Sequence, residues 1–302
     1  MKYVTFMSDD GPVVGLLSDD GQSVHPLDLE PGAARIGVLA VIDRMLAGHS
    51  VGTRGEAVLT GKVRPLAPIP RPRRNIFCVG KNYFEHAREF AGSGFDSSVD
   101  TESSGSAVPD VPIIFSKVPE SVIAFGDGIP IDATVSEAID YEGELAVIIG
   151  RGGRKIAKDE ALDHVWGYTI INDVTARDIQ GRHKQWLLGK SQDGFCPMGP
   201  VAVTADEVDL EHGQLRCWVN GELRQHASLG QLIFDIPTLI ATISAGITLL
   251  PGDIIATGTP AGVGIGFRPP KYLHPGDSVR IEIDGIGVLE NPAVAANQGA
   301  AA

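Results

Sequence analysis

The chain has 302 residues and 43% hydrophobic content, enough for one large domain or a small one plus a large one. Its net charge of −13, with no basic cluster beyond the proline-interleaved Arg71, Arg73 and Arg74, argues against a nucleic-acid-binding surface. Three scattered cysteines (Cys78, Cys196, Cys217), no run of 18 apolar residues and no basic-then-apolar N-terminus argue against a disulfide framework, a zinc site and a membrane span, so a cytoplasmic protein is expected.

Residues 3–6 and 13–17 flank Asp9-Asp10-Gly11, a hairpin signal, and Asp19-Asp20-Gly21 offers a second turn. Ile36, Val38, Leu39, Ile42 and Leu46 recur at helical spacing before Gly48. Residues 1–70 therefore read as a small α+β accessory domain, ending in the proline-rich link 65–72. Residues 75–80 read as the first strand of the main domain, 71–292. A short helix over 83–91 follows, with Asn82 and Glu85 as a capping box and Gly92 as the stop. His86 and Glu89 share a face of that helix, an arrangement in which a carboxylate orients a general base, although a surface pair has the same spacing. Residues 93–112, rich in Ser, Gly and Asp, read as a mobile lid. Residues 113–117 read as a strand delivering Lys117.

The stretch 139–173 carries the densest chemistry. Leu145 to Ile149 is an apolar run closed by Gly150, and Glu142 and Glu144 alternate onto one face of the same strand, about 7 Å apart. A second strand candidate, 165–172, ends at Asp173. Two carboxylates entering a core repel each other unless a cation lies between them. Three oxygen ligands without nearby Cys or paired His suit Mg²⁺, with Mn²⁺ or Ca²⁺ as alternatives. By spacing alone a solvated acidic strand face fits equally well. Further on, Arg177 is placed to bind a substrate carboxylate or to brace Asp173, and Lys190 lies in a segment ending in a Gly-containing turn. Asn220-Gly221 marks a hairpin, and Ile236, Leu239, Ile240, Ile243 and Ile247 form a helical stripe capped by Asp235. Residues 252–257 form a strand that runs into the Gly-rich loop 258–266, where amides can approach a ligand. A last hairpin turns at Asp284-Gly285, and residues 293–302 read as a tail.

Tyr141-Glu142-Gly143-Glu144-Leu145, the run 167–178, Gly189-Lys190-Ser191 and the loop 257–264 occur in the order and with the gaps of one known group. In these motifs the chain resembles the fumarylacetoacetate hydrolase superfamily over about residues 75–292. The resemblance implies a β-rich α+β fold, with a mixed β-roll or sandwich as the main domain, and a homodimer. It implies a metal on Glu142, Glu144 and Asp173, a catalytic His86–Glu89 pair with Lys190, and substrate contacts from Lys117, Arg177 and Thr259. That set suits a small 2-oxo acid, chelated through its carboxylate and keto oxygens. Hydrolysis of a 2,4-dioxo acid of acylpyruvate type, releasing pyruvate, is the reaction that His86 and Glu89 favour. Decarboxylation of oxaloacetate or isomerisation of a 2-hydroxy-dienoate would use the same metal site. A cation-dependent binding protein without catalysis would need the three acids alone.

Overall fold

The computed structural model describes residues 1–30, 32–92 and 107–296. Most of the expected lid, 93–106, and the tail 297–302 lie outside the described residues. Among the described residues, two sheets dominate and helices are few and short. The larger sheet has eleven strands and is mixed. Its centre is the antiparallel pair Gly143–Ile149 and Val165–Asn172, flanked by Ile254–Ala256 on one side and Val201–Thr204 on the other. Beyond Ile254–Ala256 come Ile76–Gly80, paired in parallel, and then Ile113–Lys117.

The N-terminal strand Lys2–Ser8 pairs antiparallel with Val201–Thr204, so the first seventy residues are built onto the edge of this sheet. That pairing satisfies backbone groups that an edge strand would leave exposed. Lys2–Ser8 and Gly11–Leu17 form the expected hairpin, and Leu39–Leu46 is the first helix, α1.

Gly143–Ile149 is buried on both faces. Leu145, Val147 and Ile149 pack toward Leu215, Cys217, Ile281 and Ile283 of a second, five-stranded sheet. Ala146 and Ile148 turn the other way, onto a core shared with Val38, Leu39 and Ile42. This two-sided burial explains the nearly continuous apolar run, since a strand with one wet face would alternate. The second sheet contains the hairpin Gln214–Val219 and Glu222–Ser228, whose turn residues Asn220 and Gly221 take φ of 52° and 78° as a tight two-residue turn requires. Its last strand, Gly287–Ala295, runs past residue 292 and pairs in parallel with Ile129–Ile131.

Four further helices surround the sheets: α2 (Phe84–Ala91), α3 (Arg177–His183), α4 (Leu187–Lys190) and α5 (Ile236–Ser244). Asp235 caps α5 through the Thr238 amide, as its position suggested. The capping box expected at α2 does not form. Tyr83 is the N-cap residue, and the Asn82 side chain is used elsewhere. It donates to the carbonyls of Thr257 and Phe234 and accepts from the Phe234 amide. Three long-range backbone partners outcompete one local cap.

Candidate active site

The register of the central pair builds the acidic centre. Gly143 pairs with Asn172, so the next positions outward, Glu142 and Asp173, face each other, and the Asp173 amide donates to the Glu142 carbonyl at 2.8 Å. Glu142 and Glu144 alternate onto the same face. The three side chains are 4%, 1% and 0% exposed, and one carboxylate oxygen of each lies within 4.8 Å of the others. The acids predicted as a metal set are therefore together and out of water. Three converging hard oxygens in a closed site fit a divalent cation of the Mg²⁺, Mn²⁺ or Ca²⁺ kind.

Each acid has a different environment. Glu142 accepts from the Lys190 ammonium at 2.9 Å and lies 2.7 Å from Arg177 Nη2. Burial pushes its carboxyl up, but Lys190, Arg177 and His86 outweigh burial and hold it at about 2. Asp173 accepts from Lys117 at 2.7 Å on one oxygen and from Lys190 at 2.7 Å on the other. Glu144 accepts the Gly258 amide at 2.9 Å. Burial, followed by the charges of Asp173 and Glu142, pushes its carboxyl well above the ordinary range. Lys190 is pushed down by burial and raised by Asp173 and Glu142, with a net rise that keeps it an ammonium.

His86 is 5% exposed and faces a pocket shared with Glu142, Lys190, Thr259, Gln180 and Trp186. Its Nδ1 lies 3.4 Å from Glu89 Oε2, a long contact. Glu89 also takes the Gly262 amide with both oxygens, at 3.1 and 3.2 Å. The predicted pair is thus brought to the acids and pinned to the Gly-rich loop. Gly262 has φ of 100°, and a Cβ there would meet the Arg224 carbonyl at 1.9 Å, so glycine is required at this crossing.

Lys117 and Arg177, both expected to contact a substrate, are held by carboxylates. Lys117 is fully buried and donates to Asp173, to the Val174 carbonyl at 3.1 Å and to the Lys190 carbonyl, so it positions acids instead of facing a ligand. Arg177, 1% exposed, donates to Asp140 at 2.8 Å and lies against Glu142, so it braces those two acids and not Asp173, and it also lines the pocket. Unpaired burial of either cation would be costly, and the nearest carboxylates claim them. Thr259 does line the pocket, but its hydroxyl donates to the Gly143 carbonyl and accepts from Gln225.

The sequence reading passes over Asp140, Gln180 and Gln225. Asp140 has the parity of Glu142 and Glu144, which was a usable signal. Gln180, one helical turn after Arg177 and in contact with it at 3.3 Å, also lines the pocket, and Gln225 lies in a hairpin where nothing local marks it. Phe90, Phe115 and Trp186 form an apolar wall of the pocket.

The chain is similar to several known proteins. The chain is 51% identical to the oxaloacetate tautomerase YisK of Bacillus subtilis over 231 residues, 76% of this chain and 73% of that one. It is 38% identical to the mitochondrial oxaloacetate tautomerase fahd2 of Xenopus laevis, over 97% of this chain and 90% of the relative. Among solved structures, a fumarylacetoacetate hydrolase from Exiguobacterium antarcticum superposes with a TM-score of 0.81 at 40% identity, covering 98% and 99% of the two chains. A maleylpyruvate hydrolase from Sphingobium, solved with manganese and pyruvate, gives 0.72 at 29% identity over 98% and 100%. Residues 75–294 match the family described as fumarylacetoacetate (FAA) hydrolase C-terminal. With its four sequence motifs gathered around one buried acidic centre, the chain belongs to the fumarylacetoacetate hydrolase family.

Proposed function

We propose that this protein is a divalent-metal-dependent enzyme acting on a small 2-oxo acid, and that its reaction is the keto–enol tautomerisation of oxaloacetate. The observation that carries this reading is Lys190 spanning Glu142 and Asp173 in the pocket that His86 also faces. An electrophilic side and a basic side then meet in one narrow space. The names of the two relatives point to the same substrate.

A cation held by Glu142, Glu144 and Asp173 would polarise the 2-oxo carbonyl as a Lewis acid. The chain's own residues then do the following. His86, oriented by Glu89, takes a proton from C3 of the substrate. The Lys190 ammonium faces the C2 oxygen as negative charge develops there. The proton is delivered to that oxygen, giving the enol; a C–H bond is exchanged for an O–H bond, and no carbon–carbon bond breaks. Phe90, Phe115 and Trp186 keep bulk water from the developing charge.

Hydrolysis of a 2,4-dioxo acid is a second reading. The His86–Glu89 pair favours it, since the same base can activate water for attack at C4. One assay separates the two. Oxaloacetate enol is added with Mn²⁺ or with EDTA, its ultraviolet decay is followed, and pyruvate is measured in the same cuvette and with acetylpyruvate as substrate. Metal-dependent enol decay without pyruvate supports the tautomerase. Pyruvate from acetylpyruvate moves the assignment to the hydrolase, and pyruvate from oxaloacetate to a decarboxylase. His86→Ala is expected to lower turnover by ~10²-fold or more with Mn²⁺ binding retained. Unchanged turnover would remove His86 from the chemistry.

A further inference from the structure

Asp140 takes no part in the mechanism above, yet it is fully buried and all four of its acceptor positions are filled. Oδ1 accepts the amides of Tyr141 at 2.9 Å and Gly264 at 2.6 Å. Oδ2 accepts Arg177 Nε at 2.8 Å and the Ile265 amide at 3.0 Å. Three of these donors lead to opposite halves of the site. Arg177 reaches on to Glu142. The loop holding Gly264 and Ile265 reaches on to α2, where the Gly262 amide donates to Glu89 and Arg268 donates to the Gly92 carbonyl at 2.8 Å. Close packing reinforces the second arm. A Cβ on Gly264 would lie 2.7 Å from Asp140 Oδ1, and one on Gly266 would lie 1.8 Å from Glu89 Oε1.

From this geometry we infer that Asp140 is a positioning residue that sets the metal acids and the His86–Glu89 helix in register, acting through Arg177 on one side and through the loop 262–268 on the other. The inference rests on the metal-dependent reading above and adds a connection between its two halves. Such a connection is physical because both arms are unbroken chains of hydrogen bonds and packed atoms. Electrostatics adds to it. Asp140, Glu142, Glu144 and Asp173 are buried with Lys117, Arg177 and Lys190, and Lys81 is buried in the wall of the same pocket. Removing the Asp140 charge leaves the centre less attractive to a dication, and it frees Arg177 to lean wholly on Glu142, where it competes with that cation.

The test uses Asp140→Asn and the wild type, with Mn²⁺ as the probe. Calorimetry is expected to show Mn²⁺ affinity reduced roughly tenfold or more in the variant, the usual range for an outer partner of a metal ligand. Turnover is expected to stay at least about fivefold low even at saturating Mn²⁺, because the arm to Glu89 is also broken. Turnover restored to wild type by saturating Mn²⁺ would reduce Asp140 to a metal-site residue and overturn the inference, as would unchanged affinity.

Hydrogen exchange on the wild type decides the matter even where the variant fails to fold. Mn²⁺ is expected to slow amide exchange in 84–92 and 262–268 as well as around 139–144. Protection confined to 139–144 and 173–177 would overturn the connection while leaving the metal reading intact. Absence of Mn²⁺ binding by the wild type would overturn the metal reading itself, and the inference with it.

Discussion

Lys190 donates to Asp173 Oδ2 at 2.7 Å, joining the last turn of a four-residue helix to the end of a central strand. The same ammonium reaches Glu142, so one side-chain charge stands against two of the three acids. This makes Lys190 a structural counter-ion that also lines the pocket.

Lys190→Met separates those roles. Turnover of oxaloacetate enol is expected to fall ~10²–10³-fold, the loss seen when a well-placed stabiliser of developing negative charge is removed. Mn²⁺ affinity should hold or tighten, because Glu142 and Asp173 lose a competing cation. Calorimetry and kinetics on the same preparation check both. A large loss of metal affinity would contradict the assignment.

The acids set a pH dependence of opposite signs. Glu142 titrates at about 2 in the fold against an ordinary 4.5, so its stabilising contribution is complete above about 4.5 and is lost as pH falls toward 2. Glu144 is raised above its ordinary 4.5, so the metal-free fold loses stability as pH rises beyond that value and an unshared charge is forced into the core. A cation needs Glu144 ionised, so its binding releases a proton and strengthens with pH. Thermal melts with and without Mn²⁺ from about pH 5 to about pH 8 should show a metal-induced gain that grows with pH. A gain that shrinks with pH would contradict the raised value.

Glu144→Gln follows from the same asymmetry. The amide keeps the shape and removes the charge of Glu144, which, unlike Glu142 and Asp173, makes no ion pair among the described residues. The metal-free variant is expected to melt no lower than wild type, while Mn²⁺ affinity falls roughly 10²-fold. A markedly lower melting temperature without metal would mean that Glu144 is a structural acid.

Asn82→Ala probes the fold behind the site. Its three hydrogen bonds join the start of α2 to Thr257 and Phe234, and their loss leaves buried carbonyls and an amide without partners. A destabilisation of roughly 2–4 kcal/mol in urea unfolding is expected. A loss under about 1 kcal/mol would mean that water or a local rearrangement replaces the bonds.

The acidic centre was legible in part from short-range rules, and the resemblance to a known family decided between a buried metal set and a solvated acidic face. Strand alternation puts Glu142 and Glu144 on one face, and the apolar runs beside them announce burial. The hairpin at Asn220-Gly221 and the Asp235 cap follow from local backbone preferences, and the structure keeps both. Asn82 shows where local rules stop, since its Asn-x-x-Glu spacing is outweighed by partners some 150 and 175 residues away. Lys117 and Arg177 show the same limit for charge. Their identity as site cations was readable, but which carboxylate each would meet depended on how the strand ends and α3 come together.

By itself, then, the amino-acid order determined the strand-rich architecture and the shared face of Glu142 and Glu144, because periodicity and turn chemistry act over a few residues, while the order and gaps of its motifs, matched to a known family, marked Asp173, His86, Glu89 and Lys190. Only the tertiary structure decided that Lys190 bridges Glu142 and Asp173, that Arg177 serves Asp140, and that Glu89 is held by Gly262. Those pairings are choices among several buried charges of similar strength, and desolvation makes each charge take whichever opposite partner the packed backbone brings within reach.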